Sequence, residues 1–150
     1  AVVASNAIYE AFMQADAPPY AIEFPHGYTY TAHPLACAAG LAALDIFEHE
    51  RMAERAAELS PYFEQQVHGL KGLPHVTDIR NLGMAAALQI APEKGAPGKR
   101  PWQISMECWK RGLYVRFGGD TIQLGPPFIC DHGQIDEMCN VLADVIAGIH

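Results

Sequence analysis

The sequence predicts a mixed α/β chain that closes in a compact α+β unit with a largely antiparallel sheet. In the first 70 residues the apolar positions recur mainly at helical spacing. From Pro74 onward short strand-like runs and amphipathic segments follow in the order strand, strand, helix, strand, strand, helix. Between these two patterns Gly69, Gly72 and Pro74 punctuate six residues, the clearest internal boundary in the chain.

Ala1 to Ala4 reads as a short buried strand. Ser5 is placed to cap a helix that turns Ile8, Phe12 and Met13 to one side and ends before Pro18-Pro19. The prolines from Pro18 to Pro25 keep the next stretch extended, because each restricts the residue before it. A polar, aromatic loop follows, His26 to His33, and Pro34 then suits the first turn of a helix. Leu35, Ala38, Ala39, Ala42 and Ile46 form its apolar stripe, widened by Leu41 and Leu44.

Charge rises through Glu48-His49-Glu50-Arg51, which reads as an exposed turn or kink. A second helix then carries Met52, Ala56 and Leu59, with Ser60-Pro61 either bending it or capping a fresh one that runs through Phe63 and Val67 to about Leu70. Beyond Pro74, Val76–Arg80 and Met84–Ile90 are strands about a turn at Asn81–Gly83. Pro101–Arg111 is a helix that faces Ile104, Cys108 and Trp109 inward, and Gly112 closes it. Leu113–Phe117 and Thr121–Leu124 are strands around Gly118-Gly119-Asp120. Asp131 and Gln134 have capping-box spacing ahead of the amphipathic run Ile135, Met138, Cys139, Leu142, Val145, Ile146 and Ile149.

Composition excludes several classes of function. The 150 residues are half apolar, enough for a real core. A net charge of -7 with scattered basic residues argues against a nucleic-acid partner. Apolar runs break well before the roughly 18 residues of a membrane span, and Ala1–Ala4 lacks the basic lead of a signal peptide. Cys37, Cys108, Cys130 and Cys139 are widely spaced, which reads as buried, reduced thiols of a cytoplasmic protein. No histidine pair has metal-ligand spacing on a predicted helix, so no metal site is expected. A chain that opens at Ala1 on a strand in progress is expected to be part of something longer.

Two places invite chemistry. In the loop before Pro34, Thr29 lies between Gly27 and a helix N-terminus, where a hydroxyl can donate to a phosphate oxygen; Thr29, Thr31 and the tyrosines can equally satisfy loop backbone groups. Arg116 ends a predicted strand beside Gly118-Gly119, and its planar fork can grip a carboxylate or pair with Asp120 across the turn. Asp78, Arg80 and Asp120 suit a solvated charge network. His26 and His33 lack a partnered nucleophile, and Trp102 and Trp109 suit a core or an interface.

Three segments carry a resemblance to a known family. HGYTYTAHPLACAAG (His26–Gly40), DIRNLG (Asp78–Gly83) and YVRFGGDTIQLGPP (Tyr114–Pro127) resemble the C-terminal part of class III aminotransferases, which are pyridoxal-phosphate-dependent enzymes of fold type I. The likeness runs the whole chain and is strongest to the omega-amino acid–pyruvate, or beta-alanine–pyruvate, members. It implies that residues 1–33 end the large cofactor domain, 34–70 are linking helices and 71–150 form the small α+β domain. It implies that Thr29 binds the phosphate of pyridoxal 5'-phosphate in a neighbouring subunit, so that active sites are shared in a homodimer or larger homo-oligomer. It gives Arg116 the substrate carboxylate, of an amino donor such as beta-alanine and of pyruvate in turn. The family's Schiff-base lysine precedes the phosphate-binding threonine, and no lysine precedes Thr29 here. No catalytic residue is therefore assigned, and the chain by itself is expected to be inactive. Other class III activities, on ornithine, 4-aminobutyrate or a diamine, stay open, as does a non-catalytic dimerisation or binding module.

Overall fold

The computed structural model describes residues 3–14, 18 and 27–149. It divides into two compact units, residues 1–42 and 43–150. In the first, α1 (Asn6–Met13) starts behind Ser5, whose backbone is extended; the N–H groups of Ile8 and Tyr9 donate to its carbonyl, but its hydroxyl makes no capping bond. Val3 and Ala4 are exposed and not in a strand, against expectation, while Ala1 and Val2 lie outside the described residues. A strand needs a paired neighbour, and none runs beside Val3 among the described residues.

Helix α2 (Pro34–His49) begins at Pro34 as its sequence dictates, and its residues from Ala43 on belong to the second unit. Alanine and leucine favour the helix without demanding burial. Its apolar stripe is not buried: Leu35, Leu41, Leu44 and Ile46 are all at least half exposed. Helical spacing fixes which side chains share a face but cannot supply the surface that covers them.

The second unit is a four-stranded antiparallel sheet with helices on one face. Glu50 and Arg51 form the exposed turn after α2, with Arg51 in the left-handed region (φ 49°). Helix α3 (Met52–His68) runs through Pro61 as one element, so Ser60-Pro61 does not cap a fresh helix. The Ser60 hydroxyl turns back to the Ala56 carbonyl at 2.6 Å. Strands β1 (Val76–Leu82) and β2 (Ala85–Ile90) form a hairpin about Gly83 (φ +56°). Helix α4 (Lys99–Lys110) then crosses to β3 (Arg116–Gly118), which is shorter than expected, and β4 (Thr121–Leu124) returns between β2 and β3. Helix α5 (His132–Gly148) closes the chain behind the Asp131–Gln134 capping box, with both reciprocal bonds in place (2.9 and 3.1 Å).

Alternation along the strands sets the two faces of the sheet. Leu88 and Ile122 are fully buried and stand in one cross-strand row between Ile79 and Phe117. They meet Phe63 and Val67 of α3, Ile104 and Cys108 of α4, and Ile135, Leu142 and Ile146 of α5 in one core. The adjacent row is Arg80, Ala87, Gln123 and Arg116, on the opposite, open face. Trp102 and Trp109 stay largely exposed rather than facing inward, since the buried side of α4 is filled by Pro101, Ile104, Ser105 and Cys108.

Truncating Phe63 to Ala should destabilise the chain by about 3–5 kcal/mol, because the ring is wholly enclosed. Leu41→Ala, on the open stripe of α2, should change it by less than about 0.5 kcal/mol. Urea unfolding of the two variants checks the contrast.

Candidate functional site

Arg116 opens β3 and lies in an open pocket of about 550 Å³ in the second unit. Gln123, its cross-strand partner, also lines the pocket. The walls are mostly apolar, built from Tyr114, Leu124, Pro126, Pro127 and Met138. Among the described residues the Arg116 guanidinium makes no ion pair or hydrogen bond.

Its expected neighbour across the turn, Asp120, is engaged elsewhere. The Asp120 carboxylate accepts the Gly98 N–H at 2.7 Å, and Gly98 is the N-cap of α4 with a left-handed backbone (φ +77°) and no side chain to cap with. Asp120 thus caps α4 from the neighbouring hairpin. Its carbonyl also accepts the Ile90 N–H at 2.8 Å and the Gln89 side-chain amide at 3.2 Å. The network expected of Asp78, Arg80 and Asp120 reduces to Asp78 and Arg80, 3.7 Å apart on β1.

The far wall of the pocket rests on a residue that sequence reasoning missed. Arg55 of α3 donates from Nε to the Phe128 carbonyl (2.7 Å) and from Nη2 to the carbonyls of Ile129 (3.0 Å) and Cys130 (3.1 Å). More than 70 positions separate the partners, and no local pattern marks an arginine that serves main-chain carbonyls. On the other side of the same segment the Phe47 and Phe128 rings meet edge to face at 6.1 Å.

Thr29 belongs to the first unit, and Arg116 to the second. Tyr30 (φ 68°) and Ala32 (φ 60°) hold the left-handed region on the way to Pro34, at a cost of order 1 kcal/mol or more each. The loop divides its hydroxyls between two fates. Thr31 Oγ1 donates to the Tyr28 carbonyl at 2.5 Å, whereas the Thr29 hydroxyl has no partner among the described residues. The His33 ring meets Tyr30 edge-on at 5.8 Å, and His26 lies outside the described residues. Lys99 and Lys110 pair with Glu93 (2.6 Å) and Glu107 (2.5 Å), and no lysine lines the Arg116 pocket. The bond from Lys99 holds the Glu93 carboxyl below its ordinary range.

The thiols do not share one environment, as had been expected of them. Cys37 is exposed and Cys130 half-buried, and burial pushes Cys108 and Cys139 up to about 11. Tyr62 donates to Asp136 at 2.5 Å, a bond that raises its phenol above the ordinary value, and its ring lies over His132 at 4.1 Å.

A small antiparallel α+β unit that presents an uncommitted arginine beside an apolar pocket suits a protein that handles small carboxylates. The family model for class-III aminotransferases matches residues 1–146, and the chain belongs to that family. It is 50% identical over 149 residues to the beta-alanine–pyruvate aminotransferase of Pseudomonas aeruginosa, covering 99% of this chain and 33% of that protein. It is 51% identical over 146 residues to the omega-amino acid–pyruvate aminotransferase of Pseudomonas putida, covering 97% and 32%. Among solved structures, the PMP-bound aminotransferase from Vibrio fluvialis superimposes with a TM-score of 0.73 at 32% identity, over 81% of this chain and 28% of that one. The chain therefore spans about a third of the length of the curated relatives it matches.

Asp120→Ala should lower stability by about 1 kcal/mol through loss of the α4 cap, measured by thermal or urea unfolding. Thiol labelling of the folded chain near pH 8 should modify Cys37 quickly, and Cys108 and Cys139 only on unfolding. Because those two thiols hold their protons more tightly when folded, stability should fall as pH rises from the ordinary thiol range toward about 11.

Proposed function

We propose that the chain is the carboxylate-binding, C-terminal portion of a pyridoxal-phosphate-dependent aminotransferase. The whole enzyme moves an amino group from an omega-amino acid or amine, such as beta-alanine, to pyruvate, giving alanine. The observation that carries this reading is the Arg116 guanidinium, left without an internal partner beside an apolar pocket. A planar fork there grips a carboxylate with two parallel, charge-assisted bonds, and the apolar walls suit a short aliphatic chain. Donor and acceptor both carry a carboxylate, so one arginine serves both half-reactions and orients each substrate for proton transfer. The names of the Pseudomonas relatives support the same pairing of substrates.

Thr29 donates its free hydroxyl to the cofactor phosphate. Two features support this reading: the hydroxyl has no partner among the described residues, and the loop leads into a helix N-terminus. Pyridoxal phosphate, when bound, supplies an electron sink for the charge left as a proton leaves the carbon that bears nitrogen. The lysine that binds it covalently and carries that proton comes from outside this chain. Residues 1–33 close the large domain, 34–70 link it to the small one, and Thr29 reaches the site of a second subunit in a homodimer or larger homo-oligomer of the cytoplasm.

In the whole enzyme Arg116→Ala should raise the KM of beta-alanine and of pyruvate by about 10- to 100-fold, the loss of a charge-assisted bond. Unchanged values for both would remove Arg116 from the site.

A further inference from the structure

We propose that Arg55 is a positioning residue of the carboxylate pocket: by holding three successive carbonyls of the Phe128–Cys130 segment, it fixes the wall that faces Arg116. The proposal rests on the reading of Arg116 as the carboxylate anchor. It starts from a weakness in the wall itself. Pro126 and Pro127 have no N–H to donate, so the segment that leaves β4 cannot be held by a strand ladder. Its one internal main-chain bond runs from the Cys130 N–H to the Pro127 carbonyl, at 3.0 Å. Burial fixes it only in part: Phe128 and Cys130 pack against the core, whereas Ile129 between them is 64% exposed.

Arg55 compensates from α3. Its Nε and Nη2 reach the carbonyls of Phe128, Ile129 and Cys130 at 2.7, 3.0 and 3.1 Å, one planar cation on three convergent acceptors. The α5 capping box at Asp131 anchors the segment immediately afterwards. Between these two ties lies Cys130, and just before them lie Pro126 and Pro127; all three line the pocket with Arg116. The placement of Cys130 beside Arg116 in the pocket lining therefore depends on a side chain that does not line the pocket. A lysine would present a point charge able to meet fewer of the carbonyls at once.

The test compares Arg55→Ala, Arg55→Lys and Arg116→Ala in the whole enzyme, by steady-state kinetics and by amide exchange across residues 126–134. For Arg55→Ala we expect at least ten-fold faster exchange confined to that segment. We also expect a KM for beta-alanine and pyruvate raised about 3- to 10-fold, and an unchanged half-reaction with a primary amine that has no carboxylate. Arg55→Lys should recover part of both effects. A raised KM in Arg116→Ala beside an unchanged one in Arg55→Ala overturns the proposal alone. Unchanged KM in both overturns the anchor reading and the proposal together. Equal loss of rate with the carboxylate-free amine, or faster exchange throughout the chain, shows Arg55 to be merely structural and also overturns it.

Discussion

The bond from the Gly98 N–H to the Asp120 carboxylate is the contact that ties helix to sheet in the small unit. A carboxylate in the glycine turn of a hairpin can pair with an arginine on the same hairpin. Here it is committed to the start of α4, where a glycine N-cap offers no side chain of its own and the helix dipole welcomes a negative charge. The same residue locks the β3–β4 hairpin against β2 through its carbonyl. One aspartate thus joins helix to sheet and leaves Arg116 chemically unspent. Arg80, at the other end of the same cross-strand row, shows the alternative, since its neighbour Asp78 has no helix to cap and stands beside it.

Much of the second unit was legible in the residues because its signals are local. The Asp131–Gln134 spacing, the apolar run of α5 and the glycine turns each need only a few neighbours to take effect, and the order of elements follows from them. What was not legible depends on partners distant in sequence. Asp120 could pair with Arg116 or cap α4, and only the position of Gly98 decides between them. Arg55 carries no local signal, because its partners are main-chain carbonyls. No fresh helix starts at Pro61 because α3 packs Leu59, Phe63 and Val67 in one core, which outweighs the loss of a single helical bond.

The first unit tells the converse story. Helices α1 and α2 start where expected, and α2 runs through Glu48 and His49 into the stretch expected to be a turn, yet no residue in either is buried. Periodicity reports which side chains share a face. It does not report what covers that face, and the class-III relatives are about three times as long as this chain. In the same unit, the Thr29 hydroxyl has no partner among the described residues, and Tyr30 and Ala32 hold the left-handed region. The role proposed for Thr29 comes from the likeness of the three motifs.

The central strand β2 sets one further property of the open face. Between Arg80 and Gln123 the row contains only the methyl group of Ala87, with Ala85 two places along. Across the four strands the two arginines stand roughly 14 Å apart, three inter-strand spacings of about 4.8 Å, and the row between them holds Ala87 and the exposed Gln123. That makes the sheet a floor that is lowest at Ala87, the smaller of the two. Each methylene added at position 87 would lift that floor without touching either charge, so this surface can be retuned by volume while its electrostatics stay as they are.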